Sequence, residues 1–155
     1  MSHHPMVMSA KRMIQEVFEG PADPHDGGSY FVNSEPDSGI FGLLETMSAE
    51  KASLTINGTT LAAHADHVRY YVWGTNEILN SNENPEMNWE ESWKIEHVSD
   101  DQWKRIQQEL RTEYEKLLEG VDRMKSIDIH TNEVLGSLAH TAYHLGAMKQ
   151  MVKML

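Results

Sequence analysis

Residues 59–79 read TTLAAHADHVRYYVWGTNEIL, and their period decides the fold class. At about 100° per residue, Leu61, Val68, Val72, Thr75 and Leu79 fall in one arc, the pattern of a helix with one buried side. The Asn57-Gly58 turn immediately before it marks its start. The same period recurs on either side. Downstream, Ser99 followed by Gln102 forms a capping-box pattern, with Asp100 and Asp101 at the positive end of the helix dipole. The helix that it opens carries Trp103, Ile106, Leu110, Leu117, Val121 and Met124 at spacings of three, four or seven. A last helix runs from Asn132 to the end of the chain, with Val134, Leu138, Leu145, Met148 and Val152 apolar. Upstream, Val7 to Glu19 carries Met13, Ile14, Val17 and Phe18 and stops at Gly20-Pro21. Pro21, Pro24, Gly27, Gly28, Pro36 and Gly39 keep the following stretch irregular, and Ile40, Phe41, Leu43, Leu44 and Met47 predict a shorter helix over Ser38 to Met47.

Each of the four long stripes must be buried against the others, which predicts an all-α fold: a four-helix bundle with a short extra helix after helix one. Residues 80–98 are polar, carry Trp89 and Trp93, and have no sustained period. At about 3.3 Å per residue this link is long enough to return along a whole helix, so a crossover connection is within its reach. The two tryptophans would pin it against the helices. The segment SLTIN lacks a partner strand.

A chain of 155 residues has room for one domain, residues 1–155. Its 13 Lys+Arg against 24 Asp+Glu leave a formal charge of -11, the wrong sign for neutralising nucleic-acid phosphates. With no cysteine there is no disulfide, no thiolate ligand and no Cys nucleophile, so a metal site has to be built from His and carboxylate. The first residues, MSHHPMVMSAKRM, lack the apolar run of a signal peptide, and no stretch approaches the ~18 apolar residues that a membrane span needs. A cytoplasmic protein without membrane contact is the expectation, and Asn57-Gly58-Thr59 is then a turn rather than a glycosylation site.

The chemistry lies in the nine histidines. His140 and His144, at i and i+4, stand one above the other on a helix, as two imidazoles offered to one ion do. With His140 at zero, His144 falls near 40° and the apolar side of its helix near 130°, so both flank the core face. On helix two, His64 lies about 60° from the centre of the apolar arc and His67 about 120° from it. The expected metal ligands are therefore His64, His140 and His144, with His67 at the rim as an alternative ligand or supporting group. Asp66 points to the opposite side. Glu133 is two turns from His140, roughly 10 Å along the axis, and is a weak general-base candidate. Tyr71 and Tyr143 either orient a substrate or edge the core. Met148, Met151 and Met154 read as packing, Glu113, Glu115 and Glu119 as a solvated face, and His3, His4, His25, His97 and His130 as residues without a role. Glu-x-x-His pairs, His-Glu-x-x-His, a phosphate-binding glycine loop and a nucleophile elbow are all missing.

The stretches TTLAAHADHVRYYV and LAHTAYHLGAMKQM resemble the two signature helices of the DinB/YfiT-like superfamily of metal-dependent proteins, on His64, His140, His144 and Gly146. The resemblance implies a four-helix bundle with a long crossover, a three-histidine site for a divalent metal such as zinc or nickel, and frequent homodimers. It also implies reactions on small molecules, including transfers that use a low-molecular-weight thiol. A transferase or hydrolase is the leading expectation, and the alternative is a metal- or ligand-binding bundle that acts in a stress response or through a partner without turnover. His67 beside His64, and the longer segment between residues 20 and 50, depart from the simplest family pattern.

Overall fold

The computed structural model describes residues 3–22 and 28–155; Pro24, His25 and Gly27, read above as loop, lie outside them. Among the described residues the chain is all-helical. The helices are α1 (Pro5–Glu19), α2 (Ile40–Glu45), α3 (Ala49–Ala52), α4 (Leu61–Ser81), α5 (Asp100–Arg123) and α6 (Ile129–Val152), with a 3-10 turn at Glu91–Trp93 between α4 and α5. The SLTIN segment contributes only an isolated bridge, Ile56 to Thr59, which closes the Asn57-Gly58 turn. No helix among the described residues is long and apolar enough to cross a membrane.

The helix ends follow from local chemistry. Ser99 Oγ accepts the Gln102 amide at 3.2 Å while Gln102 Oε1 accepts the Ser99 amide at 2.9 Å, the reciprocal cap that the sequence predicts. α6 begins at Ile129, before Asn132, because the Asp128 carboxylate accepts the His130 amide and Thr131 Oγ1 accepts the Asp128 amide. His4 has a role after all: its Nδ1 accepts the Met6 amide at 3.2 Å and caps α1. α2 is shorter than the stretch from Ser38 to Met47, and the single turn α3 follows it, capped by Ser48.

α4 contacts both α5 and α6, and α1 contacts the same two helices. Side-chain pairs give the directions. Arg69 pairs with Glu109, Asn76 donates to the Glu113 carbonyl and Arg123 donates to Asn80, so α4 and α5 run parallel. Lys11 pairs with Asp122 and Phe18 packs on Tyr114, so α1 opposes α5. α4 opposes α6, with His64 against His144 and His67 against His140. Parallel α4 and α5 require the link between them to return along α4, and this places Trp89, Ser92 and Trp93 beside the histidines.

The core is centred on fully buried Ile14, Phe18, Leu44, Leu61, Leu110, Leu117, Leu145 and Met148. Each such side chain contributes about 1.5–3 kcal/mol by leaving water. Phe18, Phe41 and Tyr114 form an aromatic trio with centroids 4.8–5.4 Å apart. α2 reaches this trio because Gly39 lies against the α1 backbone: a Cβ there would fall 2.6 Å from the Phe18 carbonyl.

Candidate metal centre

The site forms where α4, α6 and the returning link meet. α4 is enclosed on several sides, and every residue from Leu61 to Val68 is buried. His64 is 8% exposed and His67 only 6%. The placement of His67 at the rim is therefore corrected. The wheel assumed one buried face, whereas the link covers a second one with Trp93, whose ring stacks on His67 at 4.1 Å and meets His64 edge-on at 5.1 Å.

Three ring nitrogens converge. Nε2 of His67 and Nε2 of His144 each lie 3.1 Å from Nε2 of His140. One ligand atom from each of these three residues lies within 4.8 Å of the others. Nitrogens bound tetrahedrally at about 2.0–2.1 Å from a common ion stand about 3.3 Å apart, so the two close edges have the dimensions of a ligand set. His64 belongs to the cluster at one remove: its Nδ1 lies 2.9 Å from Nδ1 of His144, the nitrogen turned away from the convergence. His140 and His144 thus meet as expected, the tightest group includes His67, and His64 backs His144.

Hydrogen bonds define the protonation of one ring. Ser92 Oγ–H donates to the Trp89 carbonyl at 2.7 Å, so toward His67 the hydroxyl can only accept. His67 Nδ1–H therefore donates to Ser92 Oγ at 2.8 Å, and His67 Nε2 presents a bare lone pair to the other two rings. With His67 Nε2 bare, neutral rings can place an undivided hydrogen bond on only one of the two 3.1 Å edges at His140 Nε2, whereas a divalent cation serves all three nitrogens. The donor set fits such an ion. His140 Nδ1 is buried without a hydrogen-bond partner among the described residues, and its ring stacks on Tyr71 at 3.8 Å and 14°.

The electrostatics keep the rings neutral, as ligation requires. Burial, with His64 adding to it and Asp66 opposing it, takes His67 down to about 4. Burial and then His67 take His140 down to about 4. His144 falls to about 3 through burial and then His140, His64 and His67. Burial also lowers His64. Burial and the nearby Glu133 carboxylate raise the Tyr71 phenol.

The remaining candidates separate clearly. Asp66 is buried but paired with Arg69 at 2.8 Å, away from the rings. Tyr143 is 73% exposed; Met148 and Met151 are packed within α6, while Met154 lies past the end of α6 at Val152 and is exposed. Glu133 lines a cavity with Tyr71 and Trp89. Ser92 went unnoticed because it sits in an aperiodic link; the signal available for His67 was the run Leu61-Ala62-Ala63 and Ala65, Val68, which leaves that turn no solvated face. Compared with known proteins, the chain matches no family model, no curated protein and no solved structure.

Proposed function

We propose that this chain is a divalent-metal-dependent enzyme of the DinB/YfiT-like kind: a four-helix bundle, with a crossover between α4 and α5, that transfers or hydrolyses a group on a small molecule. The convergence of the His67, His140 and His144 nitrogens carries the reading. Zinc and nickel suit an imidazole set of this kind. Such an ion supplies positive charge and an open coordination position, which make a thiol or water acidic enough to act as nucleophile near neutral pH. The protein's own groups do the rest. Ser92 holds the proton of His67 away from the centre, His64 backs His144, and the Trp93 and Tyr71 rings cover the imidazole faces. Because the chain has no cysteine, a thiol nucleophile has to arrive as cosubstrate.

A noncatalytic metal-binding role would call for a fourth protein ligand. The nearest further ring is His64, and its Nδ1 is directed at the outer nitrogen of His144 rather than at the convergence. This favours the catalytic reading. Elemental analysis of protein purified without an affinity tag, followed by a transfer screen pairing small thiols with electrophiles, tests it. We expect one divalent ion per chain and metal-dependent thiol consumption. Absence of a stoichiometric ion after exposure to zinc and nickel would remove the proposal, and an ion without turnover in the screen would favour the noncatalytic role.

A further inference from the structure

Between α4, α6 and the returning link lies a cavity of about 190 Å³, whose wall includes Tyr71, Thr75, Met87, Trp89 and Glu133. At ~30 Å³ per water it holds about six waters, so its occupant is small. Two of its walls also touch the histidine cluster: Tyr71 stacks on His140 at 3.8 Å, and the Trp89 ring lies 6.1 Å from His67. The cavity therefore shares two of its wall residues with the histidine cluster.

Among the residues that line the cavity Glu133 is the one charged side chain, beside the neutral polar groups of Tyr71, Thr75 and Asn84. Glu133 makes no ion pair or side-chain hydrogen bond among the described residues, and no Lys, Arg or His lines the cavity. One turn along α6, a Cβ at Gly136 would stand 3.6 Å from Tyr71 Oη, an ordinary contact distance, so the phenol oxygen lies beside this stretch of the helix. Tyr71 and Trp89, with ring centroids 5.8 Å apart, supply aromatic surface to the wall, and Met87 adds a thioether. A carboxylate with aromatic faces attracts an organic cation, through charge at one point and ring quadrupoles around it. An anion would meet the Glu133 carboxylate with no cationic side chain in the wall to offset it. The charge of -11 on the whole chain also draws cations toward the surface.

We propose that this cavity binds the ammonium group of a small aliphatic amine, with Glu133 as the counter-ion and Tyr71 and Trp89 as the walls. As an assignment of substrate class it rests on the enzymatic reading above; amine binding itself requires no metal. The test therefore uses full-length protein stripped of metal by a chelator. n-Butylammonium is titrated while the Trp89 indole and Gly136 amide resonances are followed by NMR, with n-butanol and butyrate as isosteric controls. We expect saturable shifts at both resonances, with butanol about tenfold weaker, from the loss of charge pairing and cation–π contact together. Butyrate should not bind. In Glu133→Gln, whose side chain keeps its shape and breaks no hydrogen bond, the butylammonium Kd should rise about fivefold with the spectrum otherwise unchanged. Equal binding of butanol, tighter binding of butyrate, an unaltered Kd in Glu133→Gln, or absence of saturable shifts at Trp89 would each overturn the assignment. None of these outcomes bears on whether the histidines hold a metal.

Discussion

His64 and His144 face each other through Nδ1 at 2.9 Å, so the outer nitrogen of one ring of the convergent group is fixed by a fourth imidazole. One of the two must donate. If His144 is the donor, its Nε2 is a free lone pair directed at His140 and His67, which is the form a metal needs; an outer partner of this kind sets the tautomer and orientation of a ligand. Substitutions should therefore fall into two classes. His67→Ala, His140→Ala and His144→Ala are expected to abolish stoichiometric metal binding, whereas His64→Ala should keep one ion per chain and weaken its affinity about 10–100-fold. Competition titration with a chromophoric chelator separates the classes. Stoichiometric binding by His67→Ala, together with loss in His64→Ala, would exchange the roles of the two α4 histidines.

The pH dependence of the metal-free protein follows from the same burial. His67 and His140 sit near 4 and His144 near 3 in the folded state, against about 6.5 when unfolded. Between those values the unfolded chain binds more protons than the folded one, so stability rises with pH across the interval. The contribution of these rings is complete above about 6.5 and is lost as pH falls toward 4 and then 3. Urea unfolding of metal-free protein at pH 7.5 and pH 5.5, above most carboxylate titrations, should give a lower midpoint at pH 5.5. His144→Leu should narrow the difference. A midpoint independent of pH would mean that the rings are solvated.

The long helices could be read from the sequence because each carries a stripe with a regular period, and the Ser99–Gln102 cap marks α5 to the residue. His140 and His144 were legible for the same reason, since i, i+4 spacing on one helix needs no tertiary information. The choice between His64 and His67 did need it. Periodicity ranks the faces of a helix only when one neighbour covers it, and α4 is covered by α5, α6 and the returning link together. Ser92 and Trp93 act from that link, where backbone position depends on the parallel arrangement of α4 and α5 rather than on any local pattern. The single-turn α3 is too short for a period to register.

The seat of α2 on α1 gives a prediction independent of the metal. At Gly39 a Cβ would fall 2.6 Å from the Phe18 carbonyl carbon and oxygen and 2.8 Å from the Glu19 amide nitrogen, all backbone atoms that cannot rotate away. Gly39→Ala should therefore push α2 off α1 and loosen the Phe18–Phe41 contact, at a cost of about 1–3 kcal/mol typical of overpacking. Urea denaturation measures the loss. Metal affinity should be unchanged, because α2 packs on α1 and α5, whereas the clustered histidines are carried by α4 and α6. A neutral substitution would show that α1 and α2 are not in backbone contact.

Ser92 supplies the sharpest test of how His67 is held. Its single hydroxyl proton goes to the Trp89 carbonyl, and its oxygen receives the proton of His67 Nδ1, so one side chain ties the link to α4 and sets the ring's tautomer. Ser92→Ala leaves a buried N–H without an acceptor, which costs about 1–3 kcal/mol. The ring can escape that cost only by moving its proton to Nε2, the nitrogen that the metal requires. Both stability and metal affinity should therefore fall in Ser92→Ala, the latter about tenfold or more. Ser92→Thr, which keeps the hydroxyl, should recover much of the affinity. ¹⁵N chemical shifts of the His67 ring in metal-free protein report the tautomer directly: protonated Nδ1 is expected in the parent chain and a shift toward protonated Nε2 in Ser92→Ala. If Ser92→Ala binds metal as the parent does, with the His67 tautomer unaltered, the hydroxyl is packing against the ring rather than directing its proton.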